Sequence, residues 1–420
     1  MNIAANLPPY PTYSPSGLNW LPEIPAHWRT ERGKWLFKKM KRPVRGTDEV
    51  VTCFRDGVVT LRRNRRTEGF TESLQEIGYQ GIRAGDLVIH AMDAFAGAIG
   101  VSDSDGKGTP VYSVCQPAPN ANAYYYAHIL REMARSQWIA ALATGIRERS
   151  TDFRYATLAT QRLPLPPLPE QHAIARYLDH VDRRIQRYID TKEKLIALLQ
   201  EARNVATVEA MQSPSTKNLR LSAVADTIER PIERASDETY TPIGLYNRGR
   251  GIFRKKPRNG NELGDSSFFW IEQGDLVISG QFAWEGAIAL ASDTEHGCVA
   301  SHRFPILRGK PGISDTGFLL ALFQTDWGRL ILDHNSRGAA GRNRPLNVRT
   351  LMKEKISLPP IGAQLRVAEM LQSESRVRQQ TRRMEQLLKE YRASLISHVV
   401  TGKLDVRAAA EHIGMKTSYQ

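Results

Sequence analysis

The chain has 420 residues, of which 41% are hydrophobic, and it carries a formal net charge of +14 at pH 7. This length predicts two domains, and the three scattered cysteines are too few for a disulfide framework or a zinc site, so a reducing cytoplasm fits. The excess of positive charge favours nucleic acid as a partner; the alternatives are an anionic membrane or a charge that serves only solubility. No apolar run reaches the length of a membrane span.

The first predicted element is an extended tail at residues 1–19, which is polar, rich in proline and unlike a signal peptide. Residues 20–167 contain glycine turns, short β-prone runs such as GDLVI and PVYSV, and the helix-like segment YYYAHILREMARSQWIAAL. They predict a first mixed α+β domain. A long helix is predicted at residues 168–213, with Pro169 in its first turn and Glu170 at the positive end of its dipole.

The second half of the chain repeats this order of elements. The predicted segments are a linker at 214–218, a second mixed domain at 219–360, a second long helix at 361–402 and a C-terminal tail at 403–420. The second helix also follows a double proline, but Gly362 and Ala363 stand where the first copy has a proline and an acid. Its start is therefore predicted to be less strongly specified.

An internal repeat supports this division. GDLVI occurs at 85–89 and again at 274–278, a displacement of 189 residues, whereas Gln171 and Gln364 are displaced by 193. A single gap of four residues explains the change. Matches in the same order at nearly constant spacing indicate a duplication, and thus a pseudo-two-fold internal repeat of two tandem α+β domains.

Apolar residues on both long helices follow the three-four spacing of a coiled coil. The predicted seam of the first helix is Ile174, Tyr177, Val181, Tyr188, Leu195, Leu198, Ala202 and Val205. That of the second is Val367, Met370, Val377, Thr381, Met384, Leu388, Tyr391, Leu395 and His398, with Glu374 as a polar break. The seams predict an antiparallel coiled coil that spaces the two domains; the alternative is that each helix covers only its own domain.

Basic residues cluster at corresponding places in both copies. In the first copy they are Arg62, Arg63, Arg65 and Arg66, followed by Arg147, Arg149 and Arg154. In the second they are Arg248, Arg250, Arg254, Lys255, Lys256 and Arg258, followed by Arg337, Arg342, Arg344 and the neighbouring Asn343. The planar fork of arginine suits both phosphate and the guanine edge, so these are candidate DNA contacts, with a solvated charged face as the alternative.

Further candidates lie on or beside the glycine-flanked strands, where they would either read base edges or pack loops. They are His90 in the first copy and Gln281, Trp284, His302 and Arg303 in the second.

No catalytic motif is found. The chain lacks a GxxxxGK[ST] phosphate loop and a GxGxxG motif, its histidines have no metal-ligand spacing, and Leu7 interrupts the nearest approach to an NPPY motif. We therefore expect a non-catalytic chain that holds no metal or cofactor, with an enzyme of unrecognised site as an alternative.

The chain resembles the DNA specificity subunits of Type I restriction-modification systems in WLPEIPAHWRTERGKWLF, GDLVIHAMDAFAGAIGVS, GDLVISGQFAWEGAIALAS, LPPLPEQHAIARYLD and SLISHVVTGKLDVR. This resemblance implies two target recognition domains, each reading one half of a split, asymmetric double-stranded DNA site. It also implies that the two helices set the gap and bind two methyltransferase subunits. S-adenosylmethionine, ATP and Mg²⁺ would be held by those subunits and by restriction subunits.

Two alternatives to this complex stay open. One is the specificity subunit of a methylation-only system without a nuclease, and the other is a nucleic-acid-binding scaffold whose helices self-associate. The departure at Gly362 and Ala363 further predicts that the two helices engage their partners unequally.

Overall fold

The computed structural model describes residues 7–65, 77–142, 152–338 and 344–417. The chain divides into two compact units: unit 1 comprises Met1–Tyr188 and Glu385–Gln420, and unit 2 comprises Ile189–Met384. The units therefore do not follow chain order, because unit 1 includes the second part of the last long helix as well as the first domain.

The elements up to the end of the first long helix come first in the chain. The first strands are β1 (Tyr13–Leu18), β2 (Leu21–Pro25), β3 (Arg29–Arg32), β4 (Phe37–Lys39), β5 (Val51–Cys53), β6 (Val59–Leu61), β7 (Gln80–Ile82), β8 (Leu87–His90), β9 (Ile99–Val101), β10 (Gly106–Gly108), β11 (Tyr112–Pro117) and β12 (Arg162–Leu165). The first helices are α1 (Gly33–Leu36), α2 (Ala123–Arg135), α3 (Trp138–Leu142), α4 (Tyr155–Thr160) and α5 (Leu168–Gln212).

The strands of unit 2 are β13 (Lys217–Arg220), β14 (Ala225–Ile228), β15 (Thr239–Tyr240), β16 (Ile243–Leu245), β17 (Ile252–Arg254), β18 (Arg258–Asn259), β19 (Phe268–Trp270), β20 (Leu276–Ile278), β21 (Ile288–Leu290), β22 (Val299–Ser301), β23 (Ile306–Gly309) and β24 (Lys355–Leu358). The remaining helices are α6 (Leu221–Val224), α7 (Thr316–Gln324), α8 (Asp326–His334), α9 (Val348–Leu351), α10 (Ile361–Val400) and α11 (Arg407–Thr417).

A four-stranded antiparallel sheet occupies the centre of each unit. Its strand order is β4-β11-β8-β9 in unit 1 and β14-β23-β20-β21 in unit 2. The two copies of GDLVI form β8 and β20, inner strands whose leucine, valine and isoleucine side chains are all fully buried. A strand covered on both faces has a continuous apolar sequence instead of an alternating one, which explains this motif. The predicted mixed α+β fold with an internal repeat is confirmed.

The two long helices pass from one unit into the other and pair within each. In unit 1, Arg392 of α10 donates to both carboxylate oxygens of Asp182 on α5, at 2.5 and 2.7 Å. In unit 2, the roles are exchanged, and Arg203 of α5 lies 3.1 Å from the carboxylate of Glu374 on α10. Each unit thus joins the early half of one helix to the late half of the other, so the predicted antiparallel pairing is confirmed.

The predicted seam is correct for the first half of α5 and wrong for the second. Ile174, Tyr177 and Val181 are buried, but Leu195, Leu198, Ala202 and Val205 are exposed. The buried side chains in the second half are Ile196, Arg203 and Thr207. Apolar spacing could not reveal this face, because it includes an arginine whose charge is balanced by Glu374, the residue predicted to be a polar break.

A buried glutamine fixes the start of α5. The side-chain nitrogen of Gln171 donates to the carbonyls of Pro166 at 2.9 Å and Asn120 at 3.0 Å, and its oxygen accepts from the backbone N–H of Asn122 at 2.8 Å. Asn122 is itself the N-cap of α2, since its side chain accepts from the backbone N–H of Tyr125. One side chain therefore ties the long helix to the first domain.

The start of α10 is fixed by the same device. Gln364 donates to the carbonyls of Pro359 at 2.8 Å and Ile313 at 3.1 Å, and it accepts from the backbone N–H of Asp315 at 2.8 Å. The prediction of a less specified start, drawn from Gly362, is therefore wrong, because the specifying residue is the glutamine that both copies share.

Both predicted tails are wrong within the described residues. β1 pairs with β2, and Tyr10 is 2% exposed. At the other end α11 follows Asp405, whose backbone N–H donates to the carbonyl of Pro8 at 2.8 Å. The ring of Tyr10 lies under the guanidinium of Arg407, 5.2 Å from its centroid. The polar, proline-rich composition concealed these buried aromatic contacts.

Glu170 binds this N-terminal segment, a role that helix-dipole reasoning did not predict. Its carboxylate accepts from the hydroxyl of Tyr10, from the indole N–H of Trp28 at 2.8 Å and from the ring of His27 at 2.8 Å. Burial and this carboxylate raise the pKa of Tyr10. Within the described chain, no helix is both long enough and apolar enough to cross a membrane.

Candidate nucleic-acid interface

In unit 1 a β-hairpin lies against a glycine elbow. We call residues 54–58, between β5 and β6, the hairpin tip of unit 1, and residues 93–97, between β8 and β9, its elbow. The guanidinium of Arg55 on the tip donates to the carboxylate of Asp93 on the elbow at 2.8 Å. Gly97 adopts φ +88°, and a Cβ there would lie 2.9 Å from the carbonyl oxygen of Arg55. Glycine is therefore needed for the tip to approach this closely.

Unit 2 builds the same surface from β16 and β17. Its hairpin tip is residues 246–251 and its elbow residues 282–286, between β20 and β21. The backbone N–H groups of Arg248 and Gly249 donate to the carbonyls of Glu285 at 2.9 Å and Gly286 at 2.7 Å. These bonds hold Arg248 at φ +60°, which is uncommon for a residue with a side chain, and its guanidinium is exposed.

The basic cluster of unit 1 follows β6 and is held by acids. Arg63 pairs with Glu49 at 2.7 Å and Arg65 with Asp56 at 2.8 Å. The Nε of Arg62 donates to the hydroxyl of Thr52 at 3.4 Å. No acid lies inside the sequence of this cluster, yet Glu49 before β5 and Asp56 on the hairpin tip supply two carboxylates. A phosphate would have to replace them.

The basic cluster of unit 2 extends from the hairpin tip along β17 to β18. Its exposed members are Arg248, Arg250, Arg254, Lys255, Lys256 and Arg258. Arg250 lies over the ring of Tyr246, 5.2 Å from its centroid, and Arg254 donates to the carbonyl of Thr294 at 3.5 Å. Among the residues that the structure describes, no carboxylate pairs with any of these six, so their charge is available to an anion.

His90 lies where the elbow of unit 1 begins. Its ring is 5.2 Å from that of Tyr112 and its Nε2 is 3.8 Å from the carboxylate of Asp93. Burial lowers the pKa of His90 and outweighs the opposite effect of Asp93. The ring is therefore neutral at pH 7, with hydrogen-bonding capacity but no charge to offer a base or phosphate.

Trp284 lies in the elbow of unit 2 beneath an arginine. The guanidinium of Arg344 is 4.9 Å from the indole centroid and pairs with Asp333 at 2.8 Å. The indole N–H is buried and has no acceptor within the described part of the chain. Gln281, at the same elbow, is exposed. His302 and Arg303, which follow β22, are exposed as well.

The remaining candidates divide into described and undescribed residues. Arg154 pairs with Asp152 at 2.7 Å, and Arg337 donates to the carbonyl of His334 at 3.2 Å. Five predicted contacts lie outside the described residues: Arg66, Arg147, Arg149, Arg342 and Asn343. No group of three metal-binding side chains is found in the described ranges.

The end of the unit 1 sheet and the helix junction match a known family. Residues 111–197 match the Type I restriction modification DNA specificity domain. This segment is similar to a Type I DNA specificity domain. The match runs from β11 through the double proline Pro166-Pro167 into α5, the part of the chain where Gln171 ties the long helix to the first domain. The resemblance inferred from the sequence motifs is confirmed.

Solved structures that match nearly the whole chain are also of Type I systems. One is described as showing the structural basis of complex assembly and conformational transition of the type I R-M system. It is 16% identical to this chain with a TM-score of 0.53, and the match covers 91% of this chain and 99% of that chain. The HsdS subunit of Thermoanaerobacter tengcongensis is 16% identical (TM-score 0.46, 91% and 98% covered). The S subunit of M. genitalium is 14% identical (TM-score 0.47, 89% and 96% covered). The first of these likenesses shows a shared fold. No match was found among curated proteins.

The sequence analysis missed Arg55, which lies at the hairpin tip of unit 1. Arg55 precedes Asp56 and Gly57 between two β-prone runs, and an Asp-Gly pair in that setting is a strong hairpin signal. It also missed Tyr246, whose exposed ring packs against that of Phe253 at a tilt of 45°, with the centroids 4.7 Å apart.

Proposed function

We propose that the chain is the non-catalytic, sequence-specific DNA-binding subunit of a Type I restriction-modification complex. The observation that carries this proposal is the duplication of one surface, in which a hairpin tip with an exposed arginine is held on a glycine elbow. Two such surfaces suit a bipartite site, with one half read by each unit. Arginine presented from a rigid turn can bind the guanine edge with two hydrogen bonds or contact a phosphate.

Differences between the two surfaces support an asymmetric site. Unit 1 offers Arg55, already paired with Asp93, beside the neutral ring of His90. Unit 2 offers an unpaired Arg248 and the exposed amide of Gln281. Glutamine suits adenine as arginine suits guanine, so surfaces with such different donors and acceptors would select different half-sites.

The helices are proposed to set the gap between the half-sites. α5 has 45 residues and belongs to unit 1 at its start and unit 2 at its end. At 1.5 Å per residue it is about 68 Å long. One heptad inserted at matched points of α5 and α10 keeps the pairing register and should lengthen the gap in the recognised motif. An unchanged gap would refute this role.

Exposed apolar side chains support docking of two methyltransferase subunits on the helices. Leu198 is 62% exposed and Val205 is 52% exposed, although both lie on α5. Such side chains suit a protein partner, and a chain that only contacts DNA has no need of them. Leu198→Glu with Val205→Glu should prevent assembly with the methyltransferase subunit while DNA binding by the free chain persists. The partner subunits would bring S-adenosylmethionine, ATP and Mg²⁺.

The decisive experiment reconstitutes the chain with its methyltransferase subunits and sequences the methylated adenines. We expect a bipartite motif with a fixed gap, and Arg248→Gln should relax one base of one half only. Relaxed specificity in both halves would contradict separate reading. Methylation by the chain alone would contradict a non-catalytic subunit.

A further inference from the structure

Each unit contains a cavity beside its hairpin tip and elbow, at equivalent places in the repeat. The cavity of unit 1 has a volume of about 380 Å³ and that of unit 2 about 320 Å³. Both are lined by the tip, the elbow, the end of the following domain helix (α2 or α7) and a long helix. Each cavity therefore adjoins the proposed base-reading surface and extends from it to a long helix.

In unit 2 the side chain at this place contacts a buried ion pair. Gln324 accepts a hydrogen bond from the guanidinium of Arg203, which in turn pairs with Glu374. Gln324 also approaches the hairpin tip, because a Cβ on Gly249 would lie 2.9 Å from its amide nitrogen. Arg203, Glu374 and Gln324 are together neutral without any ligand, whereas Arg248, which also lines the cavity, is exposed and has no carboxylate partner among the described residues.

Unit 1 has Arg131 at the position of Gln324, and its charges do not balance. Four arginines line the cavity: Arg55, Arg131, Arg135 and Arg392. Three of these have carboxylate partners, namely Asp93 for Arg55, Glu132 for Arg135 and Asp182 for Arg392. Arg131 has neither an ion pair nor a hydrogen-bond acceptor among the described residues. One positive charge in a partly buried place is therefore left without a partner, which is costly unless a ligand supplies one.

The surroundings of Arg131 leave its guanidinium accessible to the cavity. A Cβ on Gly57 would lie 2.5 Å from Nη1 of Arg131, so the guanidinium lies directly against the hairpin tip. Nearby, the ring nitrogen Nδ1 of His128 is buried and unpartnered in the described part of the molecule. Desolvation lowers the pKa of Arg131, the like charge of Arg392 lowers it further, and the carboxylates of Asp56 and Asp182 act in the opposite direction.

We propose that unit 1 binds a phosphate group in this cavity, held by Arg131 and Arg392. Arg392 uses Nε and one terminal nitrogen for Asp182, which leaves its other terminal nitrogen to donate to an oxyanion. A phosphate would neutralise the unpaired charge and relieve the repulsion between the two guanidinium groups. A volume of about 380 Å³ is ample for a tetrahedral anion with some of its water.

The first experiment needs no DNA. Thermal unfolding of the full chain is followed in sodium phosphate and in sodium chloride at equal ionic strength. Phosphate should raise the midpoint, and once its concentration exceeds the Kd each further tenfold increase should favour the folded state about tenfold. Arg131→Gln should abolish this response and Arg131→Lys should keep part of it. Arg329→Gln, in the cavity of unit 2, is the matched control and should respond as the parent chain does.

Arg131→Gln reproduces the residue that unit 2 uses, so it should fold. In the absence of phosphate its midpoint should equal or exceed that of the parent chain, whereas loss of a merely structural arginine would lower it. Equilibrium dialysis of phosphate against the folded proteins provides a second readout. A response that Arg131→Gln retains, or no response in the parent chain by either readout, overturns the proposal.

A DNA-binding experiment distinguishes a backbone phosphate of DNA from a free phosphate ion. This experiment is the only part of the test that rests on the proposed function. If a backbone phosphate fills the cavity, Arg131→Gln should reduce the slope of log affinity against log salt by about 0.9, and inorganic phosphate should compete with DNA. If a free phosphate fills it, the variant should bind DNA as the parent chain does. Both results support the pocket, and failure to bind DNA would count only against the proposed function.

Discussion

The cluster of unit 2 offers a direct test of DNA binding through its unpaired charges. Arg254, Lys255, Lys256 and Arg258 are exposed, and no carboxylate among the described residues pairs with them. We propose replacing all four by glutamine, which keeps the side chains polar and removes four positive charges. The matched control replaces Arg63 and Arg65 of unit 1, which are already paired with acids.

The expected magnitude comes from counterion release. Each phosphate contact contributes about 0.9 to the slope of log affinity against log salt, so four lost contacts would reduce the slope by about 3.6. Between 50 and 200 mM salt the affinity of the parent chain should then fall about 150-fold more than that of the variant. The control should change the slope by less than its two charges would predict, because each arginine must leave its carboxylate to reach a phosphate.

The assay is a fluorescence titration of labelled duplex at five or more salt concentrations, with circular dichroism to establish that each variant is folded. Because the phosphate contacts are independent of sequence, the change should be the same on specific and non-specific duplexes. An unchanged slope in the fourfold variant would refute the assignment of this surface to DNA. A larger change in the control would place the main phosphate contacts on unit 1.

Three further predictions concern stability and are checked by urea unfolding of single variants. Gln171→Ala and Gln364→Ala should each cost about 2–4 kcal/mol, since each leaves two carbonyls and one N–H without a partner; a cost for Gln171→Ala alone would contradict equal helix starts. Arg203→Met should cost about 3–5 kcal/mol, and adding Glu374→Leu should restore most of it, because the loss comes from an unpaired buried charge. Burial and nearby arginines lower the pKa of His128 to about 4, so on acidification the unfolded chain binds a proton at this histidine before the folded chain does. The free energy of unfolding of the parent chain, relative to that of His128→Gln, should therefore fall as the pH decreases from 6.5 to 4. A difference that stays constant over this range would contradict the prediction.

Duplication was the most predictable property of the fold, because it left matches that a single sequence reveals. The two copies of GDLVI predicted short strands, and the structure has them as β8 and β20, inner strands of two sheets with equivalent strand order. The double prolines predicted the starts of both long helices within a residue or two. The role of Gln171 and Gln364 was visible only as a coincidence of spacing, since three hydrogen bonds from one side chain have no sequence signature.

The partition into units was not predictable from the periodicity. A three-four spacing of apolar residues indicates that a helix packs against something. It does not indicate which half of the helix packs in which unit. On the second half of α5 the buried face includes Arg203 and Thr207, and the apolar Leu198 and Val205 are exposed. At the candidate interface, the basic clusters of the two copies have similar compositions, with no acid inside either one. Whether Glu49 and Asp56 neutralise the cluster of unit 1 depends on strand pairing, which local composition does not determine.

The interleaving of the units also imposes an order on their completion during synthesis. Unit 2 is one continuous stretch, Ile189–Met384, and all of it is available once that stretch has left the ribosome. Unit 1 begins earlier but must wait for residues 385–410, which supply Leu395, Val399 and Val406 to its interior. The domain that is synthesised first therefore completes its folding last. Until then, the faces of α2 and of the early half of α5 that are buried in the folded unit stay exposed to chaperones and to misfolding.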